Sequence, residues 1–259
     1  MKVVILAGGL GTRLSEETTV RPKPMVEIGS EPIIWHIMKL YDFFGFRDFL
    51  ICAGYKQNII KDYFAKYALN HGDIEVSTNS QTVKIIKPSK EEWNVRVVDT
   101  GLNTMTGGRI KRIESYIDSD DDFMFTYGDG LANLNIRELL EFHRKHSPIL
   151  TLTAVQPPGR FGSVLIDEQK RVTKFTEKPL GDGQWINAGY YVSSKKIFDF
   201  LSSDNDILES GPLEKISETG RMRAFLHSGF WKPMDTLTDK RKLEDMWSSN
   251  NAPWKIWED

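Results

Sequence analysis

One cysteine in 259 residues leaves no partner for an intramolecular disulfide. Cys52 lies in the apolar run Phe49-Leu50-Ile51-Cys52-Ala53, so it reads as an inert core thiol kept in a reducing compartment. Histidine is scarce too: the five present show no HExxH or Cys/His spacing, which excludes the common zinc frameworks. No serine stands in a Gly-x-Ser-x-Gly elbow. No apolar stretch approaches bilayer-spanning length, and the N-terminus lacks the apolar core and cleavage site of a secretory signal. An excess of one charge is also missing. Lysine and arginine number 34 against 36 acids, a formal net charge of −2, which predicts no nucleic acid and no membrane as partner. Internal repeats, low-complexity tracts and a convincing linker are absent. The expectation is a cytoplasmic protein of one domain over residues 1–259, with a core to about 235 and a C-terminal helix and tail over about 236–259.

What is present begins at Lys2-Val3-Val4-Ile5-Leu6, a short β-branched run that predicts a buried strand. Gly8, Gly9 and Gly11 follow, and they allow positive φ and close approach of backbone N–H groups to a ligand. Thr12 adds a hydroxyl, and Arg13 and Lys23 add positive charge, so the stretch suits a triphosphate. A Walker A loop is excluded because no Gly-Lys-Ser/Thr ends it. The dinucleotide fingerprint is excluded because Leu14 stands where its third glycine belongs. The glycines alone would equally suit an ordinary strand-to-helix turn. The cations and the Arg21-Pro22-Lys23-Pro24 run favour phosphate.

The spacing then predicts a helix over 32–41, a strand over 49–53 and a helix over 57–69. Short β-like pieces at 74–77, 83–87 and 95–99 interrupt the rhythm, with an exposed loop at 87–92. A helix over 108–117, a strand over 123–127, a helix over 136–146 and a strand over 149–155 restore it. A hairpin is expected from 163–166 and 172–175, then a strand over 186–192, a short helix over 197–201, a strand over 222–227 and a helix over 236–246. This pattern predicts an α/β fold: a mostly parallel twisted sheet covered by helices on both faces, with added β-hairpins and a C-terminal helical appendage. Open sheets of this kind bind ligands beyond the carboxyl ends of their strands, where the glycine loop falls.

Two acids stand out. Asp129, in Tyr127-Gly128-Asp129-Gly130, follows a buried strand and is suited to a hard cation, or equally to a simple Asp-Gly turn. Asp235 precedes a helical pattern and on its own reads as an N-cap. Lys178 ends a hairpin strand, where a surface lysine is unremarkable, and Gly162 reads as a hairpin-entry glycine. Arg109 sits near a helix start, which is unfavourable for a cation, so a binding role explains it better. His36, His143 and His146 fall within helical patterns and read as structural or solvated. Trp247, Trp254 and Trp257 crowd the C-terminus, and packing against another subunit is favoured over packing on the body.

The long motif Leu6-Ala7-Gly8-Gly9-x-Gly11-Thr12-Arg13-Leu14, with Pro22-Lys23-Pro24-Met25, resembles the signature of the sugar-1-phosphate nucleotidylyltransferases. The resemblance runs over nearly the whole chain and is strongest to the branch that joins CTP to α-D-glucose 1-phosphate. It implies a Rossmann-like sheet and a nucleotide site of Leu6, Ala7, Gly8, Gly9, Gly11, Thr12, Arg13, Lys23, Thr104, Arg109 and Gly128. It implies sugar-phosphate contacts from Gly162, Glu177, Lys178, Asn187, Ala188 and Gly189. Mg²⁺ would be held by Asp129 and Asp235, and Arg13, Lys23, Asp129 and Lys178 would carry catalysis. A homo-oligomer is expected, and the product would feed dideoxysugar synthesis for surface polysaccharide. The use of UTP or dTTP, or a catalytically silent relative, stays open.

Overall fold

The computed structural model describes residues 1–118, 122–157, 159, 162–178, 180 and 184–258. Seven strands form its central sheet: β1 (Lys2–Ala7), β2 (Asp48–Ala53), β3 (Asn94–Asp99), β4 (Phe123–Tyr127), β5 (Leu150–Val155), β6 (Ile186–Ser193) and β7 (Met222–His227). Their spatial order is β7-β5-β6-β4-β1-β2-β3. Strands β1, β2, β3 and β4 pair in parallel, as do β5 and β7. Strand β6 runs antiparallel to both its neighbours, β4 and β5. It therefore begins at the edge where the other six end.

The sheet is two-faced because strand side chains alternate. From β1, Val3, Ile5 and Ala7 enter one core, while Val4 and Leu6 enter the other. Helices α1 (Ile33–Phe43) and α4 (Ile136–His146) cover the first. Helix α3 (Thr106–Arg112) and a 3₁₀ segment over Lys195–Phe200 cover the second. Cys52 is buried in the second core, and burial pushes its thiol pKa up to about 12. The fold class matches the expectation, with one antiparallel strand that the apolar pattern did not reveal.

Several boundaries differ for local reasons. The helix expected over 57–69 stops as α2 (Gln57–Ala65), and a short helix, Tyr67–His71, follows. The break turns Tyr67 inward to accept the Trp35 indole N–H at 2.8 Å and to stack on His71 with ring centroids 3.9 Å apart. Helix α3 starts two residues before the expected 108, and a 3₁₀ turn, Glu114–Tyr116, takes over its far end. Its first N–H groups, on Gly107 and Gly108, donate to the Asp206 carbonyl at 2.8 and 3.2 Å. A Cβ at either glycine would lie 2.8 or 2.6 Å from a backbone oxygen of the 204–206 segment, so only glycine fits this approach. Two pieces read as strands, Asp73–Ser77 and Thr82–Lys87, pair as a separate hairpin, as do Ser163–Ile166 and Val172–Thr176.

The tryptophans correct the expectation of a second subunit: they pack on the body of the chain. Trp247 belongs to the last helix, α5 (Leu237–Ser248), whereas Trp254 and Trp257 follow it and are 1 % and 7 % exposed. They close over His36, which is fully buried. The His36 Nε2–H donates to the Ile28 carbonyl at 2.9 Å, and Nδ1 accepts from the Trp254 indole at 3.4 Å. A charged ring has no anionic partner here, and burial pulls its pKa from 6.5 down to about 4.

Because the folded pKa is depressed, the folded state binds fewer protons than the unfolded chain. Stability from His36 is complete above pH ~6.5 and is lost as pH falls toward about 4, to the extent of roughly 3 kcal/mol. His36→Gln, which keeps a donor and an acceptor without a titration, should flatten that part of the acid limb. Urea midpoints at pH 7, 5.5 and 4.5 in both proteins check this, and parallel acid limbs would remove His36 as the cause.

Candidate active site

The site is built where β1 and β4 end side by side. Leu6 pairs with Tyr127, and the Gly128 N–H continues the ladder onto the Leu6 carbonyl at 3.1 Å. The glycine loop turns away after Ala7. Gly11 has φ +66°, and its carbonyl accepts from the Leu14 N–H and the Thr18 hydroxyl, each at 3.0 Å. A side chain at Gly11 would meet Thr18 at 2.7 Å, so the turn admits glycine alone. A short 3₁₀ turn, Thr12–Leu14, and a single helical turn, Ser15–Thr18, carry the chain on; no long helix follows the loop directly. Pro22 then leads into another 3₁₀ turn, Lys23–Met25, which buries Lys23 to 8 % exposure.

Asp129 and Asp235 lie 106 residues apart yet meet because a two-stranded ladder joins them. Gly130–Ala132 pairs antiparallel with Trp231–Pro233, and the Met234 N–H donates to the Asp129 carbonyl at 2.8 Å. Both carboxylates then reach one cation: Lys23 Nζ donates to Asp129 Oδ2 at 2.6 Å and to Asp235 Oδ1 at 2.7 Å. Arg13 donates to the other Asp235 oxygen at 2.9 Å. Asp235 does not cap the helix that follows it. Thr236 does, in a reciprocal capping box with Asp239, which leaves the Asp235 carboxylate to the site.

Arg13, Lys23 and Asp129 border an open cleft of about 310 Å³, and Asp235 stands behind them, held by both cations. Leu6, Ala7, Gly8, Gly9, Gly11, Thr12, Arg13, Lys23, Thr104, Arg109 and Gly128, the whole set expected at the nucleotide, line it together with Asp129. Pro24, Met105, Thr106 and Tyr127 line it as well; Pro24 and Tyr127 sit inside motifs named above, and none of the four is among the residues expected at the nucleotide. Arg109 is 4 % exposed and tied into its surroundings, not solvated at a helix start. One terminal nitrogen donates to the Thr100 hydroxyl and the Gly101 carbonyl, both at 2.8 Å, and the other to the Gly8 carbonyl at 2.9 Å. A Cβ on Gly8 would fall 2.1 Å from this guanidinium, so the glycine makes room for the arginine. Thr104 is 7 % exposed, and among the described residues its hydroxyl has no hydrogen-bond partner.

The residues expected at the sugar phosphate divide. Asn187, Ala188 and Gly189 open β6, so the antiparallel direction of that strand sets them beside the ends of β4 and β5. Gly189 has φ +79°, and a Cβ there would meet the Tyr127 ring at 2.4 Å. Gly162, Glu177 and Lys178 flank the separate hairpin instead, and none of these six residues lines the 310 Å³ cleft. Glu177 and Lys178 are exposed, with Lys178 Nζ 3.7 Å from Glu177 Oε1. Pro179, next to them, lies outside the described residues.

A glycine loop bordered by cations, facing two convergent carboxylates at the carboxyl edge of a parallel-dominated sheet, is a place to bind and rearrange a nucleotide phosphate chain. The chain belongs to the nucleotidyl transferase family, whose model matches residues 2–236. It is 51 % identical over 258 residues to glucose-1-phosphate cytidylyltransferase of Salmonella typhi, with 100 % of each chain covered. It is 38 % identical over 258 residues to a probable glucose-1-phosphate cytidylyltransferase of Bacillus subtilis, covering 99 % of this chain and 100 % of the relative. Among solved structures, HddC from Yersinia pseudotuberculosis superposes with a TM-score of 0.69 at 27 % identity, over 95 % of this chain and 99 % of that one. Among the described residues no helix is long and apolar enough to cross a membrane.

The lysine bridge has a measurable consequence. Lys23→Met leaves Asp129 and Asp235 facing each other without their shared cation. Both carboxylates are about a quarter exposed, so the expected loss is discounted to ~1–2 kcal/mol. Thermal unfolding of this variant in EDTA should fall below the parent, and millimolar Mg²⁺ should restore much of the difference. Equal recovery in KCl at matched ionic strength would show general screening and no cation site.

Proposed function

We propose that the chain transfers a cytidylyl group from CTP to α-D-glucose 1-phosphate, giving CDP-glucose and pyrophosphate. The observation that carries this reading is the cleft that gathers phosphate-binding cations and two carboxylates at one point, in a chain 51 % identical over its full length to a relative bearing that name. The nucleophile is a phosphate oxygen that is already anionic, so no general base is needed. Catalysis is then positioning and charge neutralisation around an in-line displacement at the α-phosphorus.

The residues fit a divalent cation. Asp129 and Asp235 aim oxygens at a single point that an ammonium now fills, and among the described residues no third His, Cys, Asp or Glu joins them. Two hard carboxylates with the remaining positions left to phosphate and water suit Mg²⁺ better than a dedicated protein cage would. When bound, the ion would supply charge neutralisation at the phosphates. Arg13 and Lys23 hold the triphosphate and the departing pyrophosphate. Lys178, on the outer hairpin, binds the incoming sugar phosphate against the repulsion of like charges. Asn187, with Ala188 and Gly189, and Gly162 with Glu177, engage the sugar, because amide and carboxylate match hydroxyls.

Thr104 and Arg109 read the base. Cytosine presents acceptors at O2 and N3, uracil an N3–H donor, and a guanidinium can only donate. Most of the Arg109 donors already hold the loop, so the arginine both shapes the pocket and faces it. The protein works as one nucleotidyltransferase unit in the cytoplasm, where its buried thiol stays reduced. It assembles as a homo-oligomer. Supporting this, Ile74, Val76, Val83 and Ile85 share one face of the 73–87 hairpin, and each is at least 41 % exposed.

Pyrophosphate release with glucose 1-phosphate and each of CTP, UTP, dTTP and GTP tests the reading. The parent should prefer CTP over UTP by ~10²-fold or more in kcat/KM, since the wrong base leaves a buried donor unpaired. Arg109→Ala should erode that ratio chiefly by losing CTP activity. Preference of the parent for UTP would overturn the substrate assignment. A parallel fall with both nucleotides would make Arg109 a loop tie alone.

A further inference from the structure

Glu209 lies outside every motif of the chain, on the segment leading to Pro212–Glu218, yet its carboxylate links the cleft to the start of β6. Oε2 accepts from the Thr106 hydroxyl at 2.9 Å, and Thr106 lines the nucleotide side. Oε1 accepts from the Tyr127 phenol, whose ring packs against Gly189. The Tyr127 oxygen lies 3.2 Å from that of Tyr191, and Tyr191 in turn accepts from the Asn187 amide Nδ2.

Proton accounting gives this relay a direction. Each hydroxyl has one proton, and a carboxylate only accepts. The Thr106 oxygen already accepts from the Leu208 N–H at 2.9 Å, so its proton goes to Glu209. The Tyr127 proton goes to the charged acceptor, the stronger of its two choices. Tyr191 must then donate to Tyr127, and it receives the Asn187 N–H. The amide orientation follows: Nδ2 faces Tyr191, while Oδ1 accepts the Gly189 N–H at 2.9 Å. Asn187 retains one N–H and one lone pair, the pair of functions a sugar hydroxyl requires.

We propose that Glu209 is a positioning residue that acts through Tyr127 and Tyr191 to fix the Asn187 amide for sugar recognition. This rests on the reading of the site given above, with Asn187 at the sugar. An amide at 209 can donate as well as accept, so it no longer fixes the direction of the relay. A phenylalanine at 127 keeps the ring against Gly189 but cuts the relay.

Steady-state kinetics and thermal unfolding of Glu209→Gln, Tyr127→Phe and the double variant test the proposal. Each single variant should raise the KM for glucose 1-phosphate about tenfold, the value of roughly one hydrogen bond, and move the KM for CTP less than about threefold. The double variant should be no worse than the singles, since one relay is broken once. Parent-like KM values in folded single variants, an equal rise for both substrates, or additive losses would each overturn it. Absence of CDP-glucose formation by the parent would instead reject the underlying functional reading.

Discussion

The site hangs on one ammonium. Lys23 holds two carboxylates that would otherwise repel each other across a few ångströms, and it does so at 2.6 and 2.7 Å in a largely buried position. Each element around it serves that meeting. The Lys23–Met25 turn presents the lysine, the end of β4 presents Asp129, and the short ladder from Trp231 to Pro233 returns the chain so that Asp235 arrives beside it. The capping box of Thr236 and Asp239 completes the helix start without Asp235. A cluster of this kind is balanced only while a cation sits between the acids, and under the proposed function that place would pass to a metal ion as phosphates draw the lysine away.

The second constraint is the direction of β6. Had it run parallel to its neighbours, Asn187, Ala188 and Gly189 would lie at the opposite edge, far from Asp129. Running antiparallel, it brings them to the strand ends where the glycine loop also turns. The packing of Tyr127 on Gly189 joins the cleft directly to the residues proposed to meet the sugar. Arg109 performs a similar office on the other flank, drawing the loops after β1 and β3 together through the Gly8 and Gly101 carbonyls.

Much of this is legible in the sequence itself. The strand Phe123–Tyr127 and the helix Ile136–His146 fall where their apolar patterns place them, because a continuous apolar run or stripe leaves little choice of face. The glycine loop and its cations are legible because residue types and spacing carry their chemistry locally, whereas Asp129 reads equally as an Asp-Gly turn and gains its role from the resemblance alone. What was not legible depends on contacts between distant segments. Strand direction in β6 leaves no mark on its own apolar run. Glu209 has no local pattern, and its partners are 82 and 103 residues away. The tryptophans read as an exposed load because nothing in the tail says that His36 lies beneath them. Asp235 reads as a cap because the helix is expected from 236, whereas it begins at Leu237 and Thr236 caps it.

The most direct test of the central claim is a crystal structure with a non-hydrolysable CTP analogue and Mg²⁺. The account predicts the triphosphate along the Gly8–Arg13 loop, a metal ion between Asp129 and Asp235, and the Lys23 ammonium moved from both carboxylates onto phosphate oxygens. A bound nucleotide with Lys23 still bridging the two aspartates and the metal ion held elsewhere would contradict it.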